Sequence, residues 1–260
     1  MPNQHGAWAM LLLPALVGSV AAGPQWWHLL LLTAWFAGYL AFFATGLWLR
    51  ARLKVRYLPP VRAYAVVTLV LGGATVLLEP AVLRWAVVYA PLLALSLVFS
   101  WRRADRSVVN DLLTVVAAGL MAVVAHAPGA RLGALPTAAW LPGGDEPRAW
   151  LLAAVLVAYF TGTVLYVKTM IRERGNPRMY RASVGYHAAV AAFALLPALG
   201  APSFPQPLDR GAAVALVVLM VLLTVRAAVV PRRWPTATPK AIGIGEIGVS
   251  VALGAVLLLL

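Results

Sequence analysis

Nine predominantly apolar stretches divide the chain, at residues 7–22, 28–49, 61–78, 81–101, 108–127, 149–169, 183–199, 211–230 and 241–260. Most reach the roughly 20 residues that an α-helix needs to cross about 30 Å of hydrocarbon. The pattern predicts an all-α, polytopic transmembrane helical bundle of nine spans, with residues 1–260 forming a single integral membrane domain.

Charge is confined largely to alternate connections. Lys and Arg number five in 50–62, three in 102–106, five in 168–181 and four in 226–240, whereas the opposite set holds only Arg84, Arg131, Arg148 and Arg210. By the positive-inside rule this asymmetry predicts a cytoplasmic amino terminus and, with nine spans, an external carboxyl terminus. A hydrophobic content of 62% and a mean hydropathy of +0.86 agree with one membrane domain. The net charge of +13 does not point to nucleic acid, because the basic residues sit at span ends, where they meet anionic headgroups. With no cysteine the chain has no disulfide framework and no thiolate metal site. The first stretch follows Pro2-Asn3-Gln4-His5, which lacks a basic lead, so it reads as a retained helix rather than a signal peptide.

Aromatic residues mark the span ends, among them Trp26-Trp27, Trp48, Tyr57, Trp85, Trp101, Trp140, Trp150, Tyr180 and Trp234, and anchor helices at headgroup level. The longest connection, 128–148, is rich in Pro and Gly, and a short interfacial helix is predicted at 132–140. Gly72-Gly73-Ala74 and 243–248 read as helix-packing faces. No internal repeat is evident, which argues against an inverted-repeat transporter.

Polar residues near or within the spans carry the functional signal, because a charge at depth costs several kcal/mol unless it is paired or faces a wet cavity. They concentrate on the predicted cytoplasmic side: His5; Arg50, Arg52 and Lys54; Arg102 and Arg103; Asn110 and Asp111; Lys168, Arg172 and Glu173; His187; and Glu246 inside the last span. Each has a structural explanation beside the functional one. Asp111 pairs with Arg102, Arg106 or its own helix start, Glu173 with Arg172 or Arg174, and Glu246 with Lys240 or Arg226. His187 hydrogen-bonds across helices, and His5 touches headgroups.

The opening Pro2-Asn3-Gln4-His5-Gly6-Ala7-Trp8-Ala9-Met10, with Arg106-Ser107-Val108-Val109-Asn110-Asp111 and Tyr166-Val167-Lys168-Thr169-Met170-Ile171-Arg172-Glu173-Arg174-Gly175, resembles the YwiC-like family of integral membrane proteins. A more distant likeness, through Leu11-Leu12-Leu13-Pro14 and Ser100-Trp101-Arg102-Arg103, is to UbiA-type intramembrane prenyltransferases. That likeness implies a UbiA-like helical arrangement around a cytoplasm-facing cavity; the chain itself, rich in Ala, Arg and Val, reads as a protein of the inner (cytoplasmic) membrane of a bacterium. The likeness also implies Asp-rich motifs after the second and sixth spans, which hold Mg²⁺ on a prenyl diphosphate. Mg²⁺ takes hard oxygen ligands and neutralises the leaving group. The chain departs from this pattern: no acid occurs in 49–57, and after the sixth span Glu173 stands alone near the expected place.

Three readings remain open. In the first, a divergent transferase acts on an isoprenoid diphosphate or another anionic lipid. There Arg50, Arg52, Lys54, Arg102, Arg103, Asn110, Lys168, Arg172 and His5 bind substrate, while Asp111, Glu173 and His187 act as metal, acid or base groups. In the second, a transporter or lipid-handling protein uses the cavity without bond chemistry, with Glu246 inside the membrane. In the third, a non-catalytic subunit binds another membrane protein.

Overall fold

The computed structural model describes residues 5–126, 140–141, 146–199 and 209–260. Among them regular structure is helical throughout: α1 (His5–Ala21), α2 (Trp26–Arg50), α3 (Leu58–Leu78), α4 (Ala86–Trp101), α5 (Val108–His126), α6 (Pro147–Met170), α7 (Pro177–Ala198), α8 (Arg210–Arg233) and α9 (Pro239–Leu259). The helices follow the nine apolar stretches, and the all-helical, multi-span architecture read from the sequence is the one observed. Asn3, Gln4 and most of 128–148, including nearly all of the predicted interfacial helix, lie outside the described residues.

Among the described residues seven segments are long and apolar enough to cross a bilayer, whereas α1 is shorter and α7 is not among them, being more polar. The polarity of α7 comes from residues such as Arg178, Arg181, Ser183, Tyr186 and His187. The fourth stretch, predicted from 81, lies within one candidate span, Pro80–Trp101, whose first turns are wound more tightly than an α-helix. Pro80 starts a 3₁₀ turn that runs to Trp85, and α4 begins only at Ala86. The buried Trp85 ring fixes that corner through edge contact with Tyr89 and a tilted contact with Trp150.

The chain divides into two compact units, Pro14–Ala154 and the combination of Met1–Leu13 with Val155–Leu260, so that the boundaries fall within α1 and α6. In the Pro14–Ala154 unit α2 packs against α3 and α4, and α4 against α5. The Ala-, Gly- and Val-rich second half of α5 is almost wholly buried. It admits α1 so closely that a Cβ on Gly18 would collide with the Ala122 carbonyl. At the start of α2, His28 accepts a hydrogen bond on Nδ1 from the Gln25 N–H at 2.8 Å, which assigns the proton to Nε2. Nε2 then donates to the Ala125 carbonyl at 2.9 Å and ties α2 to α5.

In the other unit α7 packs on α8 and α8 on α9. Asn176 caps α7, accepting from the Arg178 N–H at 2.9 Å, with Pro177 at the first helical position. Asp209 caps α8 and Thr238 caps α9 in the same way. Tyr166, Met170, Ala227 and Ile242 form the core where α6, α8 and α9 meet. Arg174 closes that end by donating to the Met170 carbonyl at 3.0 and 2.8 Å and to the Ala237 carbonyl at 3.1 Å.

Candidate functional site

A short connection, 234–238, joins α8 to α9. Arg226 stands seven residues before Arg233, and Glu246 seven after Pro239, about 10 Å of helix rise in each case. The two side chains are therefore level across the α8–α9 pair. Glu246 is 2% exposed, and its Oε1 accepts from Arg226 Nη1 at 2.5 Å. Of the two partners expected from sequence, Arg226 and Lys240, the structure selects Arg226. Inside a membrane helix either charge alone would be costly, and pairing lowers that cost.

The third wall is α6. Tyr159, Thr163 and Tyr166 recur at helical spacing on one face. Thr163 donates to Glu246 Oε2 at 3.1 Å, and the Tyr159 hydroxyl shares a 2.9 Å hydrogen bond with Ser250. The Arg226 guanidinium carbon lies 4.1 Å from the Tyr166 ring centroid, a cation–π contact. Glu246 Oε1 uses only Nη1, and Arg226 Nε and Nη2 are buried with no hydrogen-bond partner among the described residues.

This centre heads a groove of about 540 Å³. Tyr166, Arg226 and Glu246 form its polar end, Val230, Ala241, Ile242 and Val249 its apolar wall, and Trp234, Thr236 and Thr238 sit in the connection. Gly245 also lines it, and a Cβ there would meet no atom within 4 Å. The Gly243–Gly248 run, read as a packing face, is thus open at Gly245 and Gly248, as it is at Gly72 and Gly73. Close approach occurs instead at Gly18 and at Gly162, where a Cβ would stand 2.9 Å from His187 Nε2.

Of the residues singled out from the sequence, Glu246 lines this groove, and the others are not among its lining residues. His5 opens α1, and its side chain lies outside the described residues. Arg50 forms an ion pair with Asp105 at 2.6 Å, and Arg103 donates to the Arg50 carbonyl at 3.4 Å. Asn110 is buried, accepts from Ser96 at 2.7 Å and donates to the Asp105 carbonyl at 2.8 Å. These contacts knit the end of α2 to the α4–α5 connection. Arg52, Lys54 and Arg102 are exposed beside them. Asp111 lies in the first turn of α5, in the same unit.

Glu173, Lys168, Arg172 and His187 belong to the other unit. Glu173 accepts from the Asn176 amide at 2.9 Å, rather than from Arg174, which is committed to main-chain carbonyls. Lys168 is buried at the end of α6, and Arg172 is exposed. His187 is buried, its Nδ1 2.7 Å from the Ser183 carbonyl, the ordinary contact of a helical histidine. Among the described residues no three His, Cys, Asp or Glu side chains come close enough together to hold a metal ion.

Sequence reasoning missed Tyr159, Thr163 and Tyr166, and weighed Arg226 only as a partner. In the sequence Arg226 reads as the start of the basic 226–240 connection, whereas the structure places it inside α8. Counting outward from that connection would have placed it opposite Glu246.

Residues 1–126 match the YwiC-like protein family. The chain is 32% identical over 190 residues to YwiC of Bacillus subtilis, covering 72% of this chain and 73% of that one. It belongs to the YwiC-like family. Another relative, from Haemophilus influenzae, is 31% identical over 195 residues, covering 73% of this chain and 74% of that protein. The family match spans α1 to α5, so Arg226 and Glu246 lie outside it. No solved structure matches the chain.

Proposed function

We propose that this YwiC-like protein binds a membrane amphiphile in the α6–α8–α9 groove and handles it without bond chemistry, as a transporter or lipid-handling protein. The observation that carries this reading is the intramembrane Arg226–Glu246 pair at the head of a largely apolar groove. A polar centre joined to an apolar wall suits a molecule with a head and a tail. The prenyl-transfer reading calls for carboxylates gathered around Mg²⁺, and the described residues offer no such cluster. Nine spans, residence in a bacterial inner membrane, a cytoplasmic amino terminus and an external carboxyl terminus complete the proposal. They rest on the apolar stretches and the alternation of basic connections.

Gly245→Leu is the direct test. Gly245 lines the groove and a Cβ there meets no atom within 4 Å, so a leucine side chain starts into open space and occupies part of the groove. Native mass spectrometry of the purified protein should show co-purifying lipid on the wild type and loss of it in Gly245→Leu at unchanged thermal stability. Equal lipid retention in both would overturn the assignment of the groove.

A further inference from the structure

We infer that the head of this amphiphile is an anion bearing two oxygens on one centre, a carboxylate or a phosphate, and that it is held by the Nε/Nη2 edge of Arg226 in exchange for Glu246. The inference rests on the groove being the amphiphile site. Its evidence is the way the guanidinium is used. Glu246 binds Nη1 alone, whereas the parallel N–H groups of Nε and Nη2, the edge that grips carboxylate or phosphate bidentately, are buried without a partner among the described residues. An arginine serving only to neutralise Glu246 would be expected to spend its forked edge on the carboxylate, because a buried donor left unsatisfied is costly. The Tyr166 ring under the guanidinium stabilises the cation without consuming those donors.

In the present arrangement the Nε/Nη2 edge is covered. An anion reaches it when the guanidinium swings away from Glu246 toward the groove. One cation cannot balance two anions in a low-dielectric site, so Glu246 takes up a proton from water as the anion binds, and the net charge of the centre is unchanged. The groups facing Glu246 in that step are Arg226 on α8, and Tyr159, Thr163 and Tyr166 on α6. His187 on α7 lies within electrostatic reach of Arg226. Anion entry is thereby coupled to proton entry, which is the chemistry of a proton-linked carrier of anionic amphiphiles.

The test measures binding of oleate, oleoyl lysophosphatidate and monoolein to purified protein in a neutral detergent, with acetate and inorganic phosphate as tail-free anions. The expected result is that both anionic amphiphiles bind and monoolein binds weakly. Wild-type affinity should rise by up to about tenfold per pH unit as pH falls. Arg226→Lys, which keeps the charge but loses the fork, should weaken binding by about tenfold or more. Glu246→Gln should tighten binding and abolish its pH dependence, a gain that misfolding cannot mimic. Monoolein binding as tightly as oleate, with Arg226→Lys unchanged, would overturn the anionic head and leave the groove reading standing. Tail-free anions binding as well as the amphiphiles would overturn the inference too. Binding of none of the amphiphiles would sink the groove reading with it.

Discussion

At the residue scale the Arg226–Glu246 pair dominates, because its energetics are asymmetric. Removing one partner leaves a buried charge without its counter-ion and costs about 3–5 kcal/mol, whereas replacing both by apolar residues of similar size is close to neutral. Arg226→Leu and Glu246→Leu should each lower thermal stability in detergent, and the double variant should recover most of the loss. Additive losses would show that the two do not act as a pair. Gly162→Ala should destabilise because the new methyl would stand 2.9 Å from His187 Nε2, and His187→Ala in the same chain should relieve it. Glu246 was legible in the sequence as an acid in an apolar run. Tyr159, Thr163 and Tyr166 were not, because a hydroxyl or phenol in a membrane helix carries no charge to betray it, and what joins them is a face of α6.

Helix ends explain the next scale. α2 and α4 close with the same hydrogen-bond pattern: Arg52 N–H to the Leu49 carbonyl and Leu53 N–H to the Trp48 carbonyl, and Arg103 N–H to the Ser100 carbonyl with Ala104 N–H to the Phe99 carbonyl. This is the Schellman closure, in which glycine is favoured at the left-handed position. Here Arg52 has φ 53° and Arg103 has φ 58°. Arg52→Gly should therefore raise stability by about 0.5–1 kcal/mol. A loss on thermal unfolding would mean that the arginine side chain contributes more than its backbone strain removes. Gly18→Ala should be severely destabilising, since the obstacle is the Ala122 backbone, which cannot turn aside. The helices themselves were readable from apolar length. Small-residue packing was not, because a Gly-rich run shows where helices are able to approach, not where they do. Gly245 and Gly248 are open, whereas the isolated Gly18 and Gly162 are closely packed. The 3₁₀ corner at Pro80–Trp85 was likewise hidden within an unbroken apolar stretch.

For the whole molecule, with Arg226 set aside as a residue inside α8, the 16-to-4 distribution of basic residues between alternate connections predicts that a reporter fused after Leu260 is active only outside the cytoplasm; cytoplasmic activity would remove the nine-span, amino-terminus-inside topology. Fold class was legible because lipid imposes apolar length on every span. The site was less so, because the sequence shows how many polar residues there are but not which of them face one another. Arg50, Arg103, Asp105 and Asn110 knit one connection together, while Arg226 and Glu246 meet inside the helices. The measurement that weighs those two centres most directly is photo-crosslinking of a diazirine-tailed anionic lipid to the protein in membranes, with adducts mapped by mass spectrometry. Adducts concentrated on Val230, Trp234, Ile242 and Val249, and lost in Gly245→Leu, are the predicted result. Adducts concentrated around Arg50 and Arg102, or a pattern indifferent to Gly245→Leu, would contradict the account.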